Sequence, residues 1–396
     1  MFETDQSYEL TGGKLTIFIA ISAGLAISNC YAIQPALPEI AATLGTSTSA
    51  IGIVAGALQI GYILGVVFLV PLGDKLTSSK LVATQYLGMA TALFAAAVSP
   101  NLIAITLACV LVGAMASLAV TLSSLAFKIA PSTHKGRAVG SVAVGISAGI
   151  LLSRFIGGEL SHISNWRLML TAFGGCAAVF AFLSWRLLPH ERPANAISYL
   201  ELLSSLIPIW RKHELLREGS MVGACWFFVF SMTWVTLMLH MRAAPIYMTE
   251  YQAGLLGIAG ASGLFATKPA GRLTDRFGAR KVILAGLLIA LIGVCVIGNQ
   301  AGSVPLLVFG IVLFDAGCFS SQVANQTRLM AIDGATRSRI YSVYMVVYYV
   351  AGATGSSLGP WILGHYGWDA INRLCIFAIC IGAALALWSG RNSVKH

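Results

Sequence analysis

Long apolar runs alternate with short polar segments along the whole chain. A helix that crosses a hydrocarbon core of roughly 30 Å needs about 20 mostly apolar residues. Twelve such runs occupy residues 15–37, 49–73, 81–99, 102–127, 137–160, 168–188, 219–241, 252–270, 282–299, 304–327, 340–363 and 369–390. Several contain Gly, Ser and Pro, which are ordinary in membrane helices because small residues let backbones approach. The pattern predicts an all-α membrane protein with twelve transmembrane helices.

The composition excludes a soluble protein. Of 396 residues, 57% are hydrophobic and only 10% are charged, whereas roughly a quarter of the residues in soluble domains are charged. The eight cysteines all lie in apolar runs, without the spacing of metal ligands or of a disulfide framework. The sequence has no phosphate-binding loop of an ATP-driven pump. We therefore expect no enzyme activity, no cofactor and no metal site.

Basic residues lie on one side of the predicted spans. Of the 25 Lys and Arg residues, 21 fall in the tails and the even-numbered connections. The odd-numbered connections hold only Arg167, Arg242 and Arg373, and Arg154 lies within a span. By the positive-inside rule, this predicts a multi-pass membrane protein with both termini in the cytoplasm. The net charge of +10 then reflects topology, and no nucleic-acid partner is expected.

The two halves of the chain form an internal sequence repeat. Four residue pairs recur at offsets of 200 to 202 positions: Asp74 and Asp275, Lys128 and Arg328, Arg137 and Arg339, and Trp166 and Trp368. This repeat predicts two pseudo-symmetric six-helix bundles related by an axis along the membrane normal. The predicted units are an N-terminal bundle over 1–188, a cytoplasmic linker over 189–218 that is partly an amphipathic helix, and a C-terminal bundle over 219–396.

Two loops and two span segments carry recognisable motifs. Residues 271–281, GRLTDRFGARK, match the cytoplasmic loop signature of the major facilitator superfamily, and residues 70–80, VPLGDKLTSSK, are a degraded copy. The segments 29–45 (NCYAIQPALPEIAATLG) and 314–328 (FDAGCFSSQVANQTR) resemble the bacterial twelve-span drug–proton antiporter branch. The chain departs from that branch at Cys109, where many antiporters carry an Arg, and lacks the Pro of their fifth span. The resemblance implies the major facilitator fold, alternating access and a location in the bacterial inner (plasma) membrane.

Two ionisable residues lie deep within predicted spans, where a charge is expensive and is therefore functional by default. Asp315, in the middle of the tenth span, is the only acid at that depth. A carboxyl that alternates between a dry site and a site beside a cation would take up and release a proton, although a static ion pair is the alternative. Arg154, in the fifth span, would either pair with Asp315 or bind an anionic substrate. We expect both residues to act in proton coupling.

Polar and aromatic residues that share helix faces predict a cavity for an amphipathic solute. The expected substrate-binding residues are Tyr31, Gln34, Gln59, Tyr62, Trp226, Gln322, Asn325 and Tyr344. Trp234 and Tyr247 are expected to be packing residues or anchors at the membrane interface instead. The resemblance also implies a cytoplasmic gate held by the charges of the signature loops, namely Asp74, Asp275, Arg276 and Arg280.

Together these observations predict a proton-coupled secondary transporter that exports a small amphipathic compound or drug. Its partners would be that small molecule, protons and the lipid bilayer, and we expect a monomer. The alternative is a proton symporter that takes up or exports an organic acid, a sugar or a metal-chelating metabolite. A receptor on the same scaffold would need a soluble domain or a long tail, and the tails here are short.

Overall fold

The computed structural model describes residues 3–74, 76–130, 135–190, 206–242, 247–260, 262–299, 303–332 and 337–392. Helices account for nearly all of these residues, and the described part of the chain contains no strand. The predicted all-α architecture is confirmed, and each of the twelve predicted runs falls on helical residues. The side chain of Asp74 lies outside the described residues.

The first six predicted spans form eight helices. They are α1 (Glu3–Ser28), α2 (Leu37–Thr43), α3 (Thr48–Phe68), α4 (Ser78–Ala97), α5 (Leu102–Ala116), α6 (Leu118–Ile129), α7 (Lys135–Ile163) and α8 (Trp166–Leu187). The first run does not stay helical to residue 37, because Pro35 and Pro38 lack the backbone N–H that an uninterrupted helix requires. A turn and a short 3₁₀ segment, Gln34–Ala36, separate α1 from α2. The fourth run is divided at Ser117, whose hydroxyl donates to the carbonyl of Ala114.

The remaining described helices begin with a short segment before the seventh span. They are α9 (Leu206–Lys212), α10 (Glu214–Arg242), α11 (Glu250–Gly260), α12 (Ser262–Phe277), α13 (Ala279–Gly298), α14 (Val304–Met330) and α15 (Arg337–Asn392). The eighth predicted span contains α11 and α12, which lie on either side of residue 261, a position outside the described residues, and α12 contains Pro269. The eleventh and twelfth spans join within α15 at Gly367, whose φ of 76° favours glycine. Residues 191–205, which are half of the predicted linker, lie outside the described residues.

By length and composition, eight segments of the described residues are long and apolar enough to cross a membrane. One of them, Arg339–Trp388, contains two predicted spans. The first and third predicted spans are helical but their described helices are shorter or more polar, and the eighth is not described at residue 261. Exposed apolar side chains are spread over the outer faces of these helices. Such a surface suits a hydrocarbon environment.

Helices pack first within each half and then across a seam between the halves. In the first half α1 packs on α7, α3 on α5 and α4 on α8, and in the second half α10 packs on α15 and α13 on α14. The two most extensive contacts across the seam are α3 with α15 and α7 with α11. The observed fold is therefore two helical bundles that face each other.

The seam is closed on one side of the bundle. We call the side where α1 begins the terminal side, and the side that carries the α2–α3 connection and Gly367 the far side. Toward the far side, a Cβ added at Gly52 would lie 2.4 Å from Pro360, and one added at Gly56 would lie 3.1 Å from the carbonyl oxygen of Ala353. α7 packs closely on α11 but only slightly on α12, which belongs to the terminal side. Among the described residues, the two halves thus pack closely near the far side and less closely toward the terminal side.

Close packing within the first half predicts that alanine substitutions at two glycines differ in their effect on protein stability. A Cβ added at Gly113 of α5 would lie 1.9 Å from the carbonyl oxygen of Leu58 in α3, whereas one added at Gly140 would meet nothing within 4 Å. Gly113→Ala should therefore lower the melting temperature of the detergent-solubilised protein, since overpacking costs about 1–3 kcal/mol. Gly140→Ala is the matched control. Equal melting temperatures for the two variants would contradict the close approach of α3 and α5.

Candidate functional site

A fully buried carboxylate lies in the middle of the second half. Asp315 is in the middle of α14 and has no exposed surface. Its Oδ1 accepts a hydrogen bond of 3.1 Å from the indole Nε1 of Trp234, which is on α10. Its Oδ2 has no hydrogen-bond partner among the described residues. One carboxylate oxygen is therefore held, and the other remains able to bind a proton or a donor.

A fully buried guanidinium faces it from the first half. Arg154, on α7, has no exposed surface, and its Nε donates a 2.9 Å hydrogen bond to Oε1 of Gln34. Its guanidinium carbon lies 4.1 Å from the ring centre of Trp234, 5.0 Å from that of Tyr31 and 5.6 Å from that of Phe230. These are cation–π contacts, which gain strength where water is excluded. Neither Nη1 nor Nη2 has a hydrogen-bond partner in the described chain.

Trp234 connects the two charges, which come from opposite halves. Its N–H group donates to Asp315 while its ring face covers Arg154. Arg154 and Asp315 attract each other electrostatically, but no ion pair closer than 4.0 Å joins them in the structure as described. The structure brings the two residues together, with an indole rather than a direct salt bridge linking them.

The position of Trp234 differs from the sequence expectation of a packing or interfacial residue. Its side chain is buried at the seam and touches both candidate coupling residues. Tyr247, by contrast, is largely exposed at the far side, as expected of an interfacial residue. The signal that could have identified Trp234 is its spacing of four from Phe230 on α10, which places both rings on one helix face.

Three glycines of α11 make the close approach possible, and the sequence analysis did not single them out. Gly254, Gly257 and Gly260 recur every three residues along one helix face. A Cβ added at Gly257 would lie 2.9 Å from Cβ of Arg154, and one added at Gly260 would lie 2.5 Å from Oδ2 of Asp315. Glycine at these positions lets the α11 backbone lie directly against both charged residues.

Five of the expected substrate-binding residues lie at the seam. Tyr31 and Gln34 contact Arg154 as described above. The ring of Tyr62, on α3, lies 4.3 Å from that of Tyr349, on α15. Gln59 donates to the hydroxyls of Ser231 and Ser356 at 3.2 and 2.8 Å, and so links α3 to two helices of the other half. Trp226 stacks edge to face with Tyr348 at 5.2 Å.

The other three expected binding residues lie closer to the terminal side, on α14 and α15. Tyr344 is fully buried and packs against Gly223, while Gln322 is half-buried. Asn325 is not a free ligand group in this state, because its Nδ2 donates to the carbonyl of Gly219 at 2.7 Å and its Oδ1 accepts from Arg328 at 2.9 Å.

Arg328 also forms an ion pair with Glu218, at 2.9 Å and largely buried, which the sequence analysis did not predict. This pair joins α14 to α10 within the second half. The sequence marked Arg328 only as a member of the internal repeat, and Glu218 sits at the predicted boundary of the linker. The ion pair lies on the terminal side, away from the Arg154–Trp234–Asp315 cluster.

The expected gate residues lie at the terminal side, away from that cluster. Asp275 and Arg276 are exposed near the end of α12, and Arg280 is half-buried at the start of α13. The Arg276 guanidinium lies 5.1 Å from the ring centre of Phe277. Asp275 makes no hydrogen bond or ion pair to any residue that the structure describes.

Comparison with known proteins identifies the family. The sequence model of the Major Facilitator Superfamily matches two segments, residues 19–268 and 241–395, which together span nearly the whole chain. The chain belongs to the major facilitator superfamily. The resemblance noted in its signature loops is thereby confirmed, and this major facilitator protein is a multi-pass bacterial membrane transporter of small solutes rather than an enzyme.

The similarity between this transporter and its relatives extends over most of the chain. It is 31% identical over 387 residues to the uncharacterized transporter YgaY of Escherichia coli O157:H7, covering 98% of each chain. It is 30% identical to the probable transporter SCO4007 of Streptomyces coelicolor, covering 89% of this chain and 82% of the relative. Its fold resembles the crystal structure of a bacterial homologue of the human lysosomal transporter Spinster in an inward-facing, occupied conformation, with a TM-score of 0.79 and 14% identity over 97% of this chain and 98% of that one.

The bonds of Gln59 across the seam predict a change in accessibility. Gln59→Leu removes both hydrogen bonds that this side chain donates to the other half, so the far side should open more often. Cys30 is a buried thiol that lies close to Tyr62 and Tyr349. Its reaction with a membrane-impermeant maleimide in intact cells, measured by mass spectrometry, should speed up several-fold.

The matched control is Gln85→Leu, which changes a buried glutamine of α4 that makes no hydrogen bond to the described residues. Cys30 should react at the wild-type rate in this variant. Unchanged labelling in Gln59→Leu would mean that its hydrogen bonds do not hold the far side closed.

Proposed function

We propose that this protein is a proton-coupled secondary transporter that works by alternating access, with Asp315 as the group that carries the proton. The observation that supports this most is the placement of one fully buried carboxyl group at the seam, opposite a fully buried guanidinium from the other half. A buried charge with an unpartnered oxygen is costly. Uptake of a proton removes that charge, and exposure to water restores it.

The movement that exposes Asp315 would be a rocking of the two halves about the seam. The units that move are the predicted bundles 1–188 and 219–396, with 189–218 as the connection. Gly52 and Gly56 support this, because α3 presents no side chain at these two far-side contacts with α15. We assign the terminal side to the cytoplasm, following the basic residues, which makes the present state open toward the cytoplasm.

The gate on the cytoplasmic side would close in the opposite state. Asp275, Arg276 and Arg280 stand at the ends of α12 and α13, and Asp74 belongs to the equivalent loop of the first half. In this state Asp275 is exposed. We propose that the signature loops engage neighbouring helix ends when the halves meet on that side.

For the cargo we propose a small amphipathic organic compound, moved outward in exchange for protons. Aromatic rings dominate the seam: Phe227 and Tyr348 stack with centres 3.7 Å apart, and Tyr62, Trp226 and Tyr349 extend the same surface. Gln34 and Gln59 add amide groups, and we keep Gln322, Asn325 and Tyr344 as residues that become available when the halves rearrange. Such a surface binds flat apolar molecules with a few polar groups.

A second cargo class is favoured by one specific observation. Both Nη atoms of Arg154 lack a hydrogen-bond partner among the described residues. A guanidinium in that condition suits an organic acid, which a proton symporter would carry. The two classes differ in the sign of coupling, since a cation competes with the proton and an anion accompanies it.

The proposal predicts that Asp315→Asn abolishes coupling. In everted vesicles that carry a pH gradient, ethidium (a cationic amphipath) or benzoate (an aromatic acid) should change the internal pH when the wild-type protein recognises it. The asparagine variant should give no proton movement, because its amide binds no proton at neutral pH, yet it should still exchange labelled solute across the membrane.

The control is Glu159→Gln, which alters a partly exposed acid on the same helix as Arg154. It should retain proton movement at the wild-type rate. Proton-coupled transport that persists in Asp315→Asn would overturn the proposed role of this residue.

A further inference from the structure

We infer that the cargo bears one carboxylate group, that Nη1 and Nη2 of Arg154 bind it, and that a proton on Asp315 travels with it. This inference rests on the proposed function and selects the organic acid from the two cargo classes. It is argued from the geometry of the guanidinium, its surroundings and the sign of the nearby charge.

The guanidinium is oriented so that one end remains available. Its Nε edge is fixed by the hydrogen bond to Gln34, and its flat face lies on the indole of Trp234. Stacking uses the face of the group and leaves the N–H donors in the plane free. Two parallel donors at the Nη end match the two oxygens of a carboxylate, which Arg binds in a bidentate manner.

No group of the described chain neutralises this cation by contact. Arg154 and Asp315 are the charged residues that the structure buries most deeply, and Trp234 lies between them. Both Nη atoms are buried donors without an acceptor. Leaving charged donors unpaired costs more than leaving neutral ones unpaired. An anionic cargo group would satisfy both at once, which sets a strong preference for an acid over its neutral amide or ester.

The residues around Arg154 indicate the shape of the rest of the cargo molecule. Tyr31, Phe230 and Trp234 surround Arg154 with aromatic rings, so the body attached to the carboxylate should be flat and apolar. A second carboxylate would find no other deeply buried cation among the described residues and would lie near Asp315. The class is therefore an aromatic monocarboxylate.

The proton accompanies the anion for an electrostatic reason. Titratable groups near Asp315 are Arg154 from α7 and Cys318 on its own helix, and a neutral thiol adds no charge. A carboxylate bound at Arg154 repels an ionised Asp315, so each ligand strengthens binding of the other. Cargo and proton then move in the same direction.

The first test is binding to the purified protein. Benzoate, phenylacetate and indole-3-acetate should shift its melting temperature in detergent, and benzamide should not. Arg154→Lys should weaken benzoate binding by at least about tenfold, since a lysine lacks the paired donors. The matched control is Arg167→Lys, because Arg167 also lies over a tryptophan, at 4.2 Å from Trp166, but donates to backbone carbonyls outside the seam.

The inference is overturned if benzamide binds as well as benzoate, if Arg154→Lys binds benzoate normally, or if none of the three acids binds below about 10 mM. Any of these results leaves proton coupling at Asp315 intact, because the vesicle assay of Asp315→Asn tests that separately.

The second test measures protons. Benzoate added to lightly buffered wild-type protein at neutral pH should cause proton uptake, read with a pH-indicator dye. Asp315→Asn should still bind benzoate but take up no proton. Proton release, or binding without proton uptake in the wild-type protein, would overturn co-transport.

Discussion

The arrangement of the two buried charges at the seam depends on one indole ring, that of Trp234. Trp234 donates to Asp315 with its N–H group and covers Arg154 with its face, so it holds two opposite charges near each other without letting them form an ion pair. A direct buried ion pair would satisfy both charges and lock the two halves together. With the ring between them, Arg154 and Asp315 still attract each other, but the Nη atoms of Arg154 and Oδ2 of Asp315 keep their capacity for hydrogen bonds. That is the condition under which two buried charges can still bind ligands.

This arrangement imposes its own packing constraint. The indole, the guanidinium and the carboxylate lie against α11, and the helix accommodates them because Gly254, Gly257 and Gly260 present no side chain on that face. The α3–α15 contact uses Gly52 and Gly56 for the same purpose. At both contacts the glycines let side chains of the facing helix, such as Arg154 and Pro360, lie close to the backbone. The glycine-bearing helix presents no side chain of its own at these positions.

The sequence predicted the helices well because the thickness of a membrane fixes the length of an apolar run, and each run can be recognised by itself. It also identified Asp315 and Arg154 as charged residues buried within helices, since a charge in an apolar run differs from its neighbours. It did not predict the helix breaks near Pro35 and at Ser117 or the ion pair of Glu218 with Arg328. The role of Trp234 was missed for another reason: one sequence gives the face on which a residue lies but not which helix packs there. The glycine spacing of α11 was visible in the sequence and acquires meaning only once its neighbours are known.

For an aromatic acid as cargo, the charges at the seam also explain how the protein would avoid moving the proton or the anion alone. With neither ligand bound, Arg154 and an ionised Asp315 sum to zero, and with both anion and proton bound the sum is again zero. A proton alone leaves one positive charge in the closed seam, and an anion alone leaves one negative charge. An uncompensated charge in such a site is costly. The two neutral states are therefore the ones in which the halves can close and exchange sides. Because Trp234 keeps Arg154 and Asp315 near but apart, one pair of side chains is sufficient to exclude both half-loaded states.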